Sequence, residues 1–282
     1  MKRFFLKRLI CASLLIVVFS HLQAETSEAE EKNFNLLGSR ETFALSPVTD
    51  GLLFGSGLLL SGGNLITKYA VKINRQEYDG KIYDKDDVNS FDRLFMNSYS
   101  ATNDKIADFL MAASMASPRV LAATDREEWF TCAVMYAETL MIANGIKETV
   151  KLFVNRPRPY MYYDSETFPE DVNDNGDWAD SFFSGHATLS FAGATFASYA
   201  FWKYFPESKW RIPVLAGSYT LAATTAVMRL SSGNHFMTDV LTGAVIGSGV
   251  GFLVPWLHTF NAKHKDFNVG VLANGFSVAV KF

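Results

Sequence analysis

Lys151, Arg158 and Arg229, two histidines (His186 and His235), Asp239 and a Ser184-Gly185 pair are the residues of this chain whose types and spacing could do chemistry. They fall in three clusters: Lys151-Leu-Phe-Val-Asn-Arg-Pro-Arg158-Pro159, Ser184-Gly185-His186, and Arg229-Leu-Ser-Ser-Gly-Asn-His235-Phe-Met-Thr-Asp239. A phosphoryl group in transfer carries negative charge on its equatorial oxygens, so its chemistry needs positioning and fixed positive charge. One lysine and two arginines supply that charge, and the arginine fork matches phosphate oxygens. Ser184 and Gly185 precede an expected helix start near His186, where a hydroxyl and backbone N–H groups suit an anion. His235 is the candidate nucleophile. Asp239, four residues on, is expected to accept the Nδ1 proton of His235 and leave Nε2 free to attack. His186 then remains as general acid for the leaving oxygen and as base for water. Arg156 is expected to make a surface or headgroup contact. No metal and no cofactor are called for.

Each cluster lies at the end of a long apolar stretch. Five such stretches are read as helices: 106–124, 129–150, 187–205, 212–230 and 237–257. In this pattern all three clusters meet at one end of a bundle. Each stretch approaches the ~20 residues that cross a bilayer, and small residues such as Gly243, Gly247 and Gly251 suit close helix packing in lipid. The expected fold is therefore all-α, a bundle of about five or six helices taken as transmembrane, with the site at one end. A further Gly-rich apolar segment, 51–73, could span or lie partly in a membrane. Glu138, inside the second stretch, sits awkwardly with lipid. At the C-terminus, Asn274-Gly275 between alternating apolar residues predicts a small β-hairpin.

The clusters resemble the type 2 phosphatidic acid phosphatase superfamily, which includes vanadium haloperoxidases and bacterial acid phosphatases. Its pattern is Lys, six residues, Arg-Pro; Pro-Ser-Gly-His; and Ser-Arg, five residues, His, three residues, Asp. The first part matches in full at Lys151 to Arg158-Pro159, while Phe183 stands for Pro in the second and Met228 for Ser in the third. Arg229, His235 and Asp239 keep their spacing. The resemblance, over about residues 130–258, implies that Lys151, Arg158, Ser184, Gly185 and Arg229 bind phosphate. It further implies a phosphohistidine at His235, oriented by Asp239, with His186 protonating the leaving group.

Composition narrows the partners. A net charge of −3 gives no nucleic-acid footprint. Hydrophobic residues make up 49%, which leans towards a membrane, although the mean hydropathy of +0.06 is modest. Cys11 and Cys132 alone build no disulfide framework. Residues 1–24 read as a signal peptide, with Lys2, Arg3, Lys7 and Arg8 before an apolar run. The domain plan is then a signal at 1–24, an N-terminal arm with accessory helices at 25–104, the catalytic helical domain at 105–260 and the hairpin tail at 261–282. Lys203, Lys209, Arg211, Lys263 and Lys265 lie opposite the clusters, so the positive-inside rule places the site on the periplasmic face of a bacterial inner membrane. The expected activity is a metal-independent lipid phosphate or diphosphate hydrolase. A soluble exported acid phosphatase and a vanadate-dependent haloperoxidase are the competing readings. Asp171 to Asp177 imitates a calcium loop, but Phe182 occupies the twelfth position, so an acidic solvated loop or lid is expected instead.

Overall fold

The computed structural model describes residues 37–71, 76–170, 172, 176–263, 267–272 and 275–280. The signal-peptide reading at 1–24 and the Asn274 turn fall outside these residues. Seven helices are present among them: α1 (Pro47–Leu65), α2 (Ser90–Arg93), α3 (Ala101–Met115), α4 (Glu128–Phe153), α5 (Gly185–Tyr204), α6 (Arg211–Ser231) and α7 (Met237–Lys263). The architecture is all-α, as the apolar patterning predicts. Backbone strands β1 (Phe267–Leu272) and β2 (Gly275–Val280) pair antiparallel after α7.

Helix boundaries follow local chemistry. Ser100 caps α3 by accepting from the Asn103 amide, and Ser184 caps α5 by accepting from Ala187. The expected helix at 106–124 instead ends at Met115 and continues as a 3₁₀ segment, Ser117–Ala123. Pro118 accounts for the change, because it has no N–H to continue the α-helical ladder. After α6, Gly233 turns the chain with φ of 70°. A Cβ there would press on the carbonyl oxygens of Asn97 and Ser98, so this turn requires glycine.

α5 is the central helix. It packs against α7, α6, α3 and α4 and buries residues on every side, including Ala187, Ala192, Gly193, Ala197 and Phe201. Such all-round burial marks a core element rather than a two-faced one. α7 approaches it through Gly243, Gly247 and Gly251, one turn apart. A Cβ on Gly247 would strike the Thr188 backbone carbonyl, an atom that cannot swing aside. Gly247→Ala is therefore expected to force α5 and α7 apart and destabilise the protein by about 1–3 kcal/mol. Thermal unfolding in detergent should show the loss, and a melting temperature equal to wild type would refute it.

α1 runs parallel to α4: Gly57 lies against Met141, while Asn64 donates to the Gly145 carbonyl at 3.3 Å and Thr149 Oγ1 at 2.9 Å. It thus ends at the same end of the bundle as α4. Its beginning sits beside the C-terminal part of α7, where the Ala44 amide donates to the His258 carbonyl at 3.1 Å. Among the described residues, two helical segments are long and apolar enough to cross a membrane, Ala101–Ala123 and Met237–Lys263. That is fewer than the five expected. Lys147, Glu148 and Lys151 in α4, and the many hydroxyls of α5, lower those helices' hydropathy.

Candidate active site

The three sequence clusters meet at one end of the bundle. Lys151 lies in the last turn of α4, Arg158 follows in the connecting segment, His186 opens α5, Arg229 closes α6, and His235 precedes α7. The segment holding Arg158 is pinned by backbone pairing to the loop before α5. The Arg156 amide donates to Ala179, the Ser181 amide to Arg156, and the Arg158 amide to Trp178. Residues 176–181 are therefore a wall of the site, not a free solvated loop. Asp171 and residues 173–175 of the acidic stretch lie outside the described residues.

His235 is almost fully buried. Its Nδ1 stands 2.8 Å from the Ser181 carbonyl oxygen, which can only accept, so the Nδ1 proton points there and Nε2 keeps its lone pair. This corrects the sequence expectation for Asp239. The nearer Asp239 oxygen is 3.6 Å from Nδ1, within ion-pair range but beyond a hydrogen bond. That oxygen instead accepts from Ser181 Oγ at 2.5 Å and from the Phe236 amide at 2.9 Å. Asp239 thus fixes both the carbonyl-bearing residue and the residue after His235. It positions the imidazole through its neighbours.

Burial, followed by the positive charges of Arg158, Arg229 and Lys151 and the neighbouring His186 ring, holds the His235 imidazole well below its ordinary pKa. All four groups are near enough to act on one ring. Arg158 is itself buried and aimed: its NH1 donates to Asn234 Oδ1 at 3.0 Å, and its NH2 to Asp177 Oδ2 at 2.7 Å. Arg229 is buried and paired with Asp104, while its Nε has no hydrogen-bond partner among the described residues. His186 Nε2 lies 2.8 Å from Asp108 Oδ1. Ser184 is fully buried at the α5 cap, and its amide donates to the Asp239 carbonyl at 3.1 Å, joining two clusters directly.

Sequence reasoning missed four groups. Asp104 and Asp108 stand one turn apart on α3 and face Arg229 and His186; their i, i+4 spacing at the start of an apolar helix was the available signal. Asn234 and Ser181 had no comparable signal, since both act through loop geometry. Arg156 was assigned to the surface, but it bridges two buried carboxylates, Asp239 at 2.6 Å and Asp92 at 2.7 Å, with its guanidinium over the Phe236 ring. Asp92 is fully buried. Burial alone would raise its pKa; donors from Thr238, Arg156 and Asn89 outweigh that and hold the carboxyl below its ordinary range.

A lipid A 1-phosphatase of Porphyromonas gingivalis is 35% identical over 83 residues, which is 29% of this chain and 17% of that protein. The chain thus matches about a sixth of that relative's length. Two solved structures are similar at low identity. The crystal structure of Aquifex aeolicus LpxE aligns with a TM-score of 0.42 at 21% identity, covering 61% of this chain and 98% of that one. A transmembrane PAP2-type phosphatidylglycerolphosphate phosphatase from Bacillus subtilis aligns with a TM-score of 0.41 at 17% identity, covering 74% and 95%. The PAP2 superfamily model matches residues 133–263, the stretch that supplies every residue of the three clusters. Residues 133–263, just under half of this chain, are thus similar to the PAP2 superfamily.

Proposed function

We propose that this protein is a membrane phosphatase that hydrolyses the phosphate or diphosphate of a lipid through a phosphohistidine on His235. The observation that carries the reading is the meeting of the three clusters at one end of the bundle, where the buried His235 ring holds its Nδ1 proton towards the Ser181 carbonyl. The three cations hold the phosphoryl oxygens, assisted by the Ser184-Gly185 end of α5. Nε2 attacks phosphorus, the P–O bond to the leaving group breaks, and that oxygen takes a proton from His186. His186 then removes a proton from water, which attacks phosphorus and releases inorganic phosphate with regeneration of His235. Charge is supplied by fixed side chains throughout, so the step calls for no metal at phosphorus.

A membrane setting is supported by the outer surface. Large apolar side chains stand exposed along several helices, among them Leu59 at 76%, Phe109 at 73% and Val245 at 70%. Large apolar side chains exposed on several helices suit lipid better than water. The named lipid phosphatases above fit the same reading, with the headgroup in the cationic end and the acyl or prenyl chain alongside the helices. The basic residues Lys203, Lys209 and Arg211 lie at the opposite end, which favours a periplasm-facing site. Impermeant maleimide should label Glu166→Cys in intact cells; protection there with labelling after lysis would reverse the orientation.

The deciding experiment measures phosphate release from detergent-dispersed lipid phosphates, lipid diphosphates and water-soluble phosphate esters. Lipid substrates should be strongly preferred, and equal turnover of soluble esters would favour a broad acid phosphatase. A pH profile adds an internal check. Because His235 titrates below its ordinary value and must be neutral to attack, kcat/KM should persist below pH ~6.5, where an unperturbed histidine is half protonated. Lys151→Met removes one nearby positive charge, which should raise the His235 pKa and move the acid limb to higher pH. Titration of the substrate is the same for both proteins, so an unmoved limb would contradict the assignment.

A further inference from the structure

At the end of the bundle away from the phosphatase site, three ligating side chains from three helices converge: Asp50 of α1, Glu138 of α4 and His258 of α7. Asp239 and His258 are separated by 19 residues of α7, or roughly 28 Å of helix. Each residue offers one donor atom, and these atoms all lie within 4.8 Å of one another. His258 Nε2 is 3.0 Å from Asp50 Oδ1 and 3.3 Å from Glu138 Oε2. Those separations approximate the ~3.3 Å edge of a tetrahedron whose bonds are near 2.0–2.1 Å, the bond length of zinc to nitrogen or oxygen.

The protonation pattern favours a cation. His258 Nδ1 is 2.9 Å from the Val254 carbonyl oxygen, so that nitrogen holds its proton in a hydrogen bond to the backbone. In the neutral ring Nε2 is then a lone pair, the arrangement that second-shell carbonyls impose on metal-binding histidines. Asp50 is oriented likewise, since its other oxygen accepts from the Ser46 amide at 3.0 Å. Glu138 supplies the independent observation: it is 0% exposed, and neither carboxylate oxygen has a hydrogen-bond donor among the described residues. Three electron-rich atoms therefore face one point with nothing positive between them. A proton on Glu138, donated to the His258 Nε2 lone pair, would serve one of these contacts, whereas a divalent ion serves all three and neutralises both carboxylates.

We infer that Asp50, Glu138 and His258 form a structural binding site for a divalent transition-metal ion of the zinc class, joining α1 to α4 and α7. Mixed imidazole and carboxylate donors suit zinc better than calcium or magnesium. The ion would have no part in phosphoryl transfer, being at the far end of the helices.

The test uses the full chain in detergent, stripped by chelator and then dialysed against Zn²⁺ alone. Wild type should retain one equivalent of zinc and melt several degrees higher than the stripped protein. Glu138→Gln and His258→Gln should lose both the equivalent and the shift. Stripped and loaded wild type should release phosphate at the same initial rate below their melting temperatures. Substoichiometric zinc with an unmoved melting temperature would overturn the site, as would full retention in both variants. A stripped Glu138→Gln protein more stable than zinc-loaded wild type would also overturn it, in favour of a proton-sharing cluster. Should the variants fail to fold, Co²⁺ loaded into wild type decides: intense visible bands of a tetrahedral site support it, and pale octahedral absorption rejects it.

Discussion

Replacing His235 by alanine is expected to lower kcat on the order of 10⁴-fold, with the fold retained. The expectation follows from the pocket. The imidazole is the group on which the positive side chains converge, and its Nδ1 proton is committed to the Ser181 carbonyl. His186→Ala should differ in kind. It removes the proton donor, so substrates with good leaving groups should lose little in the first step while dephosphorylation slows. Label from a ³²P-phosphorylated substrate should then accumulate on the protein in an acid-labile, base-stable form, as expected of phosphohistidine. In His235→Ala no label should appear. Substantial turnover by that variant would end the covalent mechanism.

The second large effect is predicted at Arg156. Its two NH groups hold Asp92 and Asp239, carboxylates with no exposure at all. Arg156→Met removes the only side-chain cation bonded to either in the described structure and leaves two buried negative charges facing each other across Thr238. Breaking a buried pair from one side costs about 3–5 kcal/mol. Asp92 keeps its donors from Thr238 and Asn89, and Asp239 keeps Ser181 and Phe236, which sets the lower end of that range. Chemical or thermal unfolding in detergent should show the loss. Arg156→Lys should rescue only part of it, because one ammonium lacks the fork that reaches both carboxylates. The double variant Arg156→Met/Asp92→Asn should recover stability relative to Arg156→Met. Wild-type stability in Arg156→Met would mean the bridge is energetically idle.

How much of this could be read in the residues varies with the kind of interaction. The helices from α4 onwards were legible because apolar runs and their Gly, Pro and Ser boundaries are local properties. The meeting of Lys151, Arg158, His186, Arg229, His235 and Asp239 at one end was legible because each cluster sits at the end of an apolar run. The hydrogen-bond partner of His235 was not. Ser181 acts through a carbonyl, which every residue possesses, so no side-chain type announces it. The same holds for Asp92, whose significance arises only when a four-residue helix is folded against the start of α7. Glu138 was visible as an anomaly in an apolar run, yet its partners lie 88 residues before it and 120 after it in sequence. Long-range polar pairing between helices has no periodic signature to betray it.

The parallel course of α1 and α4 has a consequence for export. α1, α3, α4, α5, α6 and α7 pass along the bundle in turn, and contact between Ala44 and His258 places the entry and exit of this array at one end. With an even number of passages, residues 37–46 and the end of α7 lie at one end of the bundle, and the three clusters lie at the other. In a bundle that spans a membrane, delivery of residues 37–46 to the outside by a preceding leader would put the three clusters on the inside. A secretory reading of residues 1–24 and a periplasmic active site, each reasonable alone, compete for the same chain.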